Sequence, residues 1–329
     1  MKKSTKALLA AGAVAGAGVA IGVTRQRSLK QRAHLGDEVP FGTVHSSARD
    51  TRDIRADDGV RLHVEIDGDE LSGATLVFTH GYVENVDVWH YPRLALRDKY
   101  RMVFFDHRSH GASGRSPIDH ITMGQLAADL KTVIDETTDG PVILIGHSMG
   151  GMTIMEFARN YPEYFDHQVK AAILINTSSG RLMVTNPTFH RLAPLVRRGS
   201  PVVTWARGAV TRPAIRGILT GPDIRAEHVD MIEKMVHRTS PSTFTHFSPL
   251  FTTLDTSEGF PTLGQVPTTV VGGVSDRLTP ISHSRYIAKK IPGANLVELD
   301  RVGHFSMFEN AERVIEVIET VAEKVAADQ

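Results

Sequence analysis

One short stretch of this sequence carries a candidate nucleophile. Residues 141–151 read PVILIGHSMGG, so an apolar run leads into a Gly-x-Ser-x-Gly pattern centred on Ser148. A strand that turns into a helix this sharply strains its apex residue and needs small neighbours two positions away, which Gly146 and Gly150 provide. A serine hydroxyl exposed at such a turn can attack a carbonyl carbon once a base removes its proton. The alternative is an ordinary glycine-rich turn, and a base elsewhere in the chain decides between the two.

Two further residues supply that base and its partner. A nucleophilic serine needs an imidazole to take its proton, and the imidazole needs a carboxylate to hold its tautomer. Asp276 follows an apolar run over residues 268–272, and His304 follows the last predicted strand, residues 295–299. Since parallel strands end at one edge of a sheet, Ser148, Asp276 and His304 are predicted to converge there. Singly, Asp276 fits a helix cap and His304 a loop histidine; their order and strand-end positions favour a triad.

Two backbone amides are the predicted oxyanion-hole donors. The apolar run over residues 74–79 leads into His80, Gly81 and Tyr82. Glycine there lets the backbone approach a ligand closely. The N–H of Tyr82 is expected to point into the same space as the N–H of Met149, which begins a helix and so favours negative charge.

Composition bounds the class of protein. The chain has 329 residues, 41% of them hydrophobic, and a formal net charge of zero, which indicates a globular protein with no general affinity for nucleic acid. It lacks cysteine, which excludes disulfides and a thiol nucleophile. Its sixteen histidines are scattered and show no zinc-binding spacing on a plausible helix, so we expect neither a metal nor another cofactor.

The N-terminus is predicted to target a membrane. Three lysines precede residues 7–23, which carry no charged or polar side chain. We favour an uncleaved anchor over residues 1–24, with a cleaved signal segment as the alternative, so the protein is expected to be membrane-associated or exported. Basic residues on both flanks leave the orientation open. Residues 25–50 are predicted to be a basic linker.

Beyond the linker, short apolar strands alternate with helices. Residues 53–56 and 61–66 predict a hairpin, residues 102–105 and 171–176 predict buried strands, and a capping box from Thr122 to Gln125 begins a helix. This rhythm predicts a mostly parallel sheet with helices on both faces. The polar run over residues 106–111 is interpreted as a loop held by its own side chains rather than as catalytic. The core is assigned to residues 51–177 and 265–329.

Residues 178–264 interrupt that rhythm and are predicted to form a helical cap, or lid, inserted after the sixth strand. Seven arginines and no acidic residue lie between residues 181 and 216. One interpretation is a solvated basic face. The other is a lid that docks on an anionic membrane, where each cation contributes about 1 kcal/mol.

These motifs together resemble the α/β-hydrolase superfamily in its serine-dependent lipase and esterase-like branch. The resemblance covers about residues 51 to 326 and is carried by five motifs in order: His80-Gly81-Tyr82, residues 106–113, residues 146–151, residues 272–280 and Gly303-His304-Phe305. It implies Ser148 as nucleophile, His304 as general base and then acid, Asp276 as its partner, and the Tyr82 and Met149 amides as oxyanion donors. Epoxide hydrolases and haloalkane dehalogenases of this superfamily attack with aspartate, which Ser148 argues against.

The expected activity is hydrolysis of a carboxylic ester, of a lipid or another apolar acyl compound, through an acyl-enzyme. Acyl transfer to an alcohol and the perhydrolysis of cofactor-free haloperoxidases use the same triad and stay open as alternatives. A non-catalytic ligand-binding receptor and a membrane scaffold are the alternatives outside enzymes.

Overall fold

The computed structural model describes residues 38–43, 48–68, 73–180 and 207–328, without the side chains of residues 207–210. The predicted anchor, most of the linker and four of the seven cap arginines lie outside the described residues. Among the described helices, none is long and apolar enough to cross a membrane.

The fold is organised by one sheet of eight strands in the order β1-β2-β4-β3-β5-β6-β7-β8. The predicted hairpin forms: β1 and β2 pair antiparallel, and β2 also runs antiparallel to β4. All other neighbours are parallel, which confirms the predicted sheet. The strands are β1 (Asp50–Arg55), β2 (Arg61–Asp67), β3 (Thr75–Thr79), β4 (Met102–Phe105), β5 (Val142–His147), β6 (Val169–Ile175), β7 (Thr268–Gly273) and β8 (Asn295–Leu299).

Helices cover both faces of the sheet, as predicted. One apolar core lies between the sheet and helices α1, α6 and α11, and the other between the sheet and α2, α3 and α9. The helices are α1 (His90–Leu96), α2 (Met123–Thr137), α3 (Met149–Asn160), α4 (Glu163–His167), α5 (Arg207–Ala214), α6 (Ala226–Arg238), α7 (Pro241–Phe247), α8 (Phe260–Leu263), α9 (Ile281–Lys290), α10 (Ser306–Glu309) and α11 (Ala311–Ala327).

Two helix ends differ from the sequence prediction. The Thr122 hydroxyl caps α2 by accepting from Gln125 N at 3.0 Å, but the Gln125 side chain donates to Asp57 Oδ1 at 2.7 Å instead of closing the capping box. The sequence pattern predicts a C-terminal helix from Glu309 to Val325, but Glu309 ends α10, and Asn310, with φ and ψ of −146° and 57°, is not helical. Asn310 instead caps α11 by accepting from Arg313 N, so α10 and α11 are separate helices.

The described residues 207–264, named here the cap segment, connect β6 to β7. They hold α5 to α8 and a π-helical turn over Ile215–Leu219. The segment contacts the carboxyl edge of the sheet: Leu219 O accepts from His304 N at 2.7 Å, and Phe244 O accepts from the Tyr82 hydroxyl at 2.5 Å. Its action as a lid stays a prediction.

Candidate active site

Ser148 sits in a strained turn between β5 and α3. Its φ of 51° and ψ of −115° place a non-glycine residue in a rarely occupied backbone region, at a cost of about 1–3 kcal/mol. The turn requires its two glycines, because a Cβ on Gly146 would lie 2.7 Å from the backbone of Gly150. A Cβ on Gly150 would in turn lie 2.2 Å from the carbonyl oxygen of Thr79. These contacts are those expected of a nucleophile elbow.

The serine is less exposed than the sequence suggested. Only 6% of Ser148 is accessible to solvent, because the chain that follows β6 packs against the turn. Ser148 N donates to Ile175 O at 3.0 Å, and the Thr177 hydroxyl donates to Ser148 O at 2.6 Å. Thr177 therefore holds the elbow in place, a role that no local sequence pattern indicated.

Asp276 and His304 form the hydrogen-bonded pair that the sequence predicted. Asp276 Oδ2 lies 2.8 Å from His304 Nδ1. Because this carboxylate oxygen accepts, Nδ1 carries the proton and Nε2 keeps its lone pair for a substrate or nucleophile proton. Asp276 Oδ1 accepts from Leu278 N at 2.8 Å and Thr279 N at 2.9 Å. Asp276 is thus both the turn-forming residue and the histidine's partner.

Charge at this pair shifts the pKa of both groups. Burial disfavours the imidazolium of His304, but the charge of Asp276 and its hydrogen bond outweigh burial and raise the pKa of His304 above its ordinary value. Burial also opposes ionisation of Asp276, yet His304, Thr279 and Asn176 stabilise its carboxylate and lower its pKa. An aspartate that stays ionised beside a basic imidazole suits general-base catalysis.

Asn176 is a site residue that sequence reasoning missed. It is buried at the end of β6 with a φ of 45°. Its Nδ2 donates to Asp276 Oδ2 at 2.9 Å, and its Oδ1 accepts from the Ser306 hydroxyl. Asn176 therefore links Asp276 to the chain that follows His304.

The predicted oxyanion loop lies beside the elbow. Gly81 N is occupied, since it donates to Glu84 Oε2 at 2.6 Å. Met149 is the first residue of α3, and the Ser148 side chain does not cap that helix. The first amides of a helix lack intrahelical acceptors and favour negative charge. The amides of Tyr82 and Met149 stay the predicted donors.

The elbow contacts His304 through His147 rather than through the Ser148 hydroxyl. The ring centroids of His147 and His304 lie 4.7 Å apart, so the residue before Ser148 packs against His304. Within the described chain, no hydrogen bond connects the Ser148 hydroxyl to His304. Catalytic hydrogen bonds are often long without substrate and tighten in the complex.

The polar loop after β4 is held by its own side chains, as interpreted from the sequence. Asp106 Oδ2 accepts from Ala112 N at 2.7 Å, and the Ser113 hydroxyl donates to Asp106 O at 2.6 Å. His107 and His110 of this loop pack edge-on or tilted against His80, with ring centroids 4.7 and 5.5 Å from it. Burial lowers the pKa of all three histidines, to about 3 for His107 and about 4 for His110.

One buried group of the described residues has donors close enough for a metal ion: Glu84, His147 and His304. Most of these donors already have partners. His147 Nδ1 contacts Glu84, His147 Nε2 contacts His304 O, and His304 Nδ1 contacts Asp276. An ion could bind both histidines only if the contact of His147 with Glu84 or with His304 O were broken, so the described geometry does not fit a metal.

Comparison with known proteins identifies the family. Residues 76–317 match the model of the Alpha/beta hydrolase family. The chain is 23% identical over 251 residues to 3-oxoadipate enol-lactonase 2 of Acinetobacter baylyi, covering 76% of this chain and 88% of that protein. It is 24% identical over 259 residues to a monoacylglycerol lipase of Mycolicibacterium smegmatis, covering 75% and 86%.

The fold also matches solved structures. A thermophilic esterase from Thermogutta terrifontis superposes with a TM-score of 0.70 at 24% identity, covering 84% of this chain and 99% of that one. The family match spans most of the sheet, the elbow and the histidine loop. The chain therefore belongs to the alpha/beta hydrolase family and is an enzyme, an α/β-fold hydrolase.

Proposed function

We propose that the protein is a serine esterase that cleaves carboxylic esters of apolar acyl groups through an acyl-enzyme. The observation that carries this proposal is the buried Asp276–His304 pair, with Nδ1 to Oδ2 at 2.8 Å, next to the strained Ser148 elbow. The two curated relatives are named for cleaving a lactone and a monoacylglycerol, and both of these are esters.

In the proposed mechanism, His304 Nε2 takes the proton of the Ser148 hydroxyl as the oxygen attacks the ester carbonyl. The developing oxyanion accepts from the amides of Tyr82 and Met149. His304 then gives the proton to the leaving alcohol, and Asp276 stabilises the imidazolium between the two transfers. Water, deprotonated by the same imidazole, attacks the acyl-enzyme and releases the acid and free Ser148.

Aromatic side chains beside the oxyanion loop support an apolar acyl group. The Tyr82 ring lies 5.8 Å from Phe244, 6.5 Å from Phe247 and 5.2 Å from Phe251, measured between centroids. All three phenylalanines belong to the cap segment. A lining of this kind favours apolar ligands.

We also propose that the N-terminal segment places the enzyme at a membrane or exports it, and that the basic stretch 181–216 contacts an anionic membrane surface. The described part of that stretch limits the charge available, because Arg212 pairs with Asp230 at 2.6 Å and Glu233 at 3.2 Å. Fractionation of cells that express the full chain tests the location. Co-sedimentation with vesicles containing anionic lipid, compared with neutral vesicles, tests the surface.

The activity is tested with p-nitrophenyl esters of increasing acyl length, using the purified full chain and Ser148→Ala. We expect turnover by the wild-type protein and a loss of at least about 10⁴-fold in kcat in the variant. A fluorophosphonate should label Ser148. No turnover and no labelling in the wild-type protein would refute the esterase proposal.

A further inference from the structure

A chain of hydrogen bonds crosses the site outside the Asp276–His304 pair. Glu84 Oε2 accepts from Gly81 N at 2.6 Å and lies 2.9 Å from His147 Nδ1. On the other side of the same imidazole, His147 Nε2 lies 2.9 Å from His304 O. Glu84 and His147 are buried, so water does not compete for these contacts.

The partners of His147 fix where its protons lie. The carbonyl oxygen of His304 can only accept, so His147 Nε2 must carry a hydrogen. A second proton lies between His147 Nδ1 and Glu84 Oε2, because two bare acceptors would repel at 2.9 Å. Each of the two contacts therefore has one donor and one acceptor, so both ring nitrogens of His147 are hydrogen-bonded.

One of these contacts joins parts of the site that the sheet does not connect directly, because β3 and β5 are paired neighbours whereas β5 and β8 are not. Gly81 follows β3, His147 ends β5 and His304 follows β8. Two strands, β6 and β7, separate β5 from β8 in the sheet. Strand pairing alone therefore does not set the distance from the elbow to the histidine loop, whereas the contact from His147 to His304 O does.

We propose that Glu84 and His147 are positioning residues that hold the oxyanion loop, the nucleophile elbow and the histidine loop at fixed positions relative to one another. This inference rests on the proposed function, since the relative positions of the three loops matter only if these loops supply the oxyanion donors, the nucleophile and the base. The close fit at Gly81 supports it, because a Cβ there would lie 2.7 Å from the Glu84 carboxylate.

The test compares Glu84→Gln, His147→Leu and the double variant in the full chain. Both bonds of Glu84 converge on one oxygen, so an amide in its place keeps only one of them without rearrangement. We expect each single variant to lose about 10- to 100-fold in kcat, the loss typical of a reacting group displaced by about 1 Å. KM should change by less than about threefold, since the displaced loops act on the reacting atoms rather than on ground-state binding.

The double variant separates a shared role from two independent ones. Because Glu84 acts through His147, the kcat of the double variant should lie within about threefold of the kcat of the less active single variant. The rate of fluorophosphonate labelling at Ser148 should fall in parallel with kcat. Losses in kcat that multiply in the double variant would overturn the proposal.

Asp67→Asn is the matched control for loss of a buried carboxylate. Asp67 accepts from Arg93 at 2.6 Å and lies opposite Met102 at the start of β4, on the edge of the sheet away from the site. The Asp67→Asn variant should have a lower Tm, while its kcat stays within about twofold of wild type, since substitutions distant from a site act independently of it.

Undiminished kcat in Glu84→Gln, in a preparation whose wild-type protein hydrolyses esters and is labelled at Ser148, would refute the positioning role alone. Absence of wild-type turnover and labelling would refute the esterase proposal and this inference with it.

Discussion

Asn176 Nδ2 donates to two acceptors from different loops: Asp276 Oδ2 at 2.9 Å and Gly303 O at 3.0 Å. One amide thus joins the loop that carries Asp276 to Gly303, the residue before His304. The position suits asparagine, because its φ of 45° lies in the left-handed region that asparagine tolerates better than most residues.

Asn176→Ala tests this bridge. We expect kcat to fall about tenfold and the free energy of unfolding to fall by about 1–3 kcal/mol, since two buried acceptors lose their donor. Steady-state kinetics and urea unfolding measure the two effects. Asn160→Ala is the control, because Asn160 contacts only Glu156 among described side chains, at 3.3 Å on α3. Equal kcat values in Asn176→Ala and Asn160→Ala would contradict the bridging role of Asn176.

The pH profile tests the base. General-base catalysis needs neutral His304, and the raised pKa of this residue keeps it protonated to higher pH than a free imidazole. The kcat/KM should therefore rise with pH, with a midpoint above the ordinary value of about 6.5.

Asp276→Asn should reverse that shift. Burial of His304 continues to disfavour its charged form, while the opposing carboxylate charge is gone, so the midpoint should move to lower pH. The kcat should drop by up to about 10⁴-fold. A midpoint that does not move would show that another group controls the acidic limb.

The buried histidines His80, His107 and His110 predict that the folded protein loses stability in acid. Their pKa values are depressed in the folded state, so the unfolded state binds more protons between about pH 6.5 and pH 4. Their stabilisation is complete above pH 6.5 and is lost as pH falls, at about 1.4 kcal/mol per pH unit for each histidine. His304 has a raised pKa, so its contribution to folding stability changes only above pH 6.5, where it is lost as pH rises.

Urea unfolding at a series of pH values measures this slope. His110→Gln should reduce it by about one proton equivalent. His167→Gln, at an exposed position on α4, should leave it unchanged. An identical slope in both variants would exclude His110 as one of the responsible groups.

The glycines of the elbow give a steric prediction. Gly150→Ala places a Cβ 2.2 Å from Thr79 O, a backbone atom that cannot move without displacing β3. We expect a loss of more than about 3 kcal/mol in stability. Gly124→Ala in the first turn of α2 meets no atom closer than 3.8 Å and should be neutral or stabilising by up to about 1 kcal/mol. Thermal unfolding of both variants decides the comparison.

The sequence by itself determined the features that depend on neighbouring residues. The strands predicted over residues 102–105 and 295–299 form over those residues. The two glycines around Ser148 predicted the strained elbow, because only small residues fit that turn. The order of Ser148, Asp276 and His304, combined with a parallel sheet, predicted that they share one edge.

Only the tertiary structure decided which side chains support that edge. Glu84 reaches His147 across 63 residues of chain, and Asn176 reaches Asp276 across 100. The burial of Ser148 and the use of Gln125 to hold Asp57 also depend on segments that lie far apart in sequence. Periodicity and turn chemistry report local backbone preference, whereas these contacts exist because folding brings separate strand ends together, and no local pattern encodes that proximity.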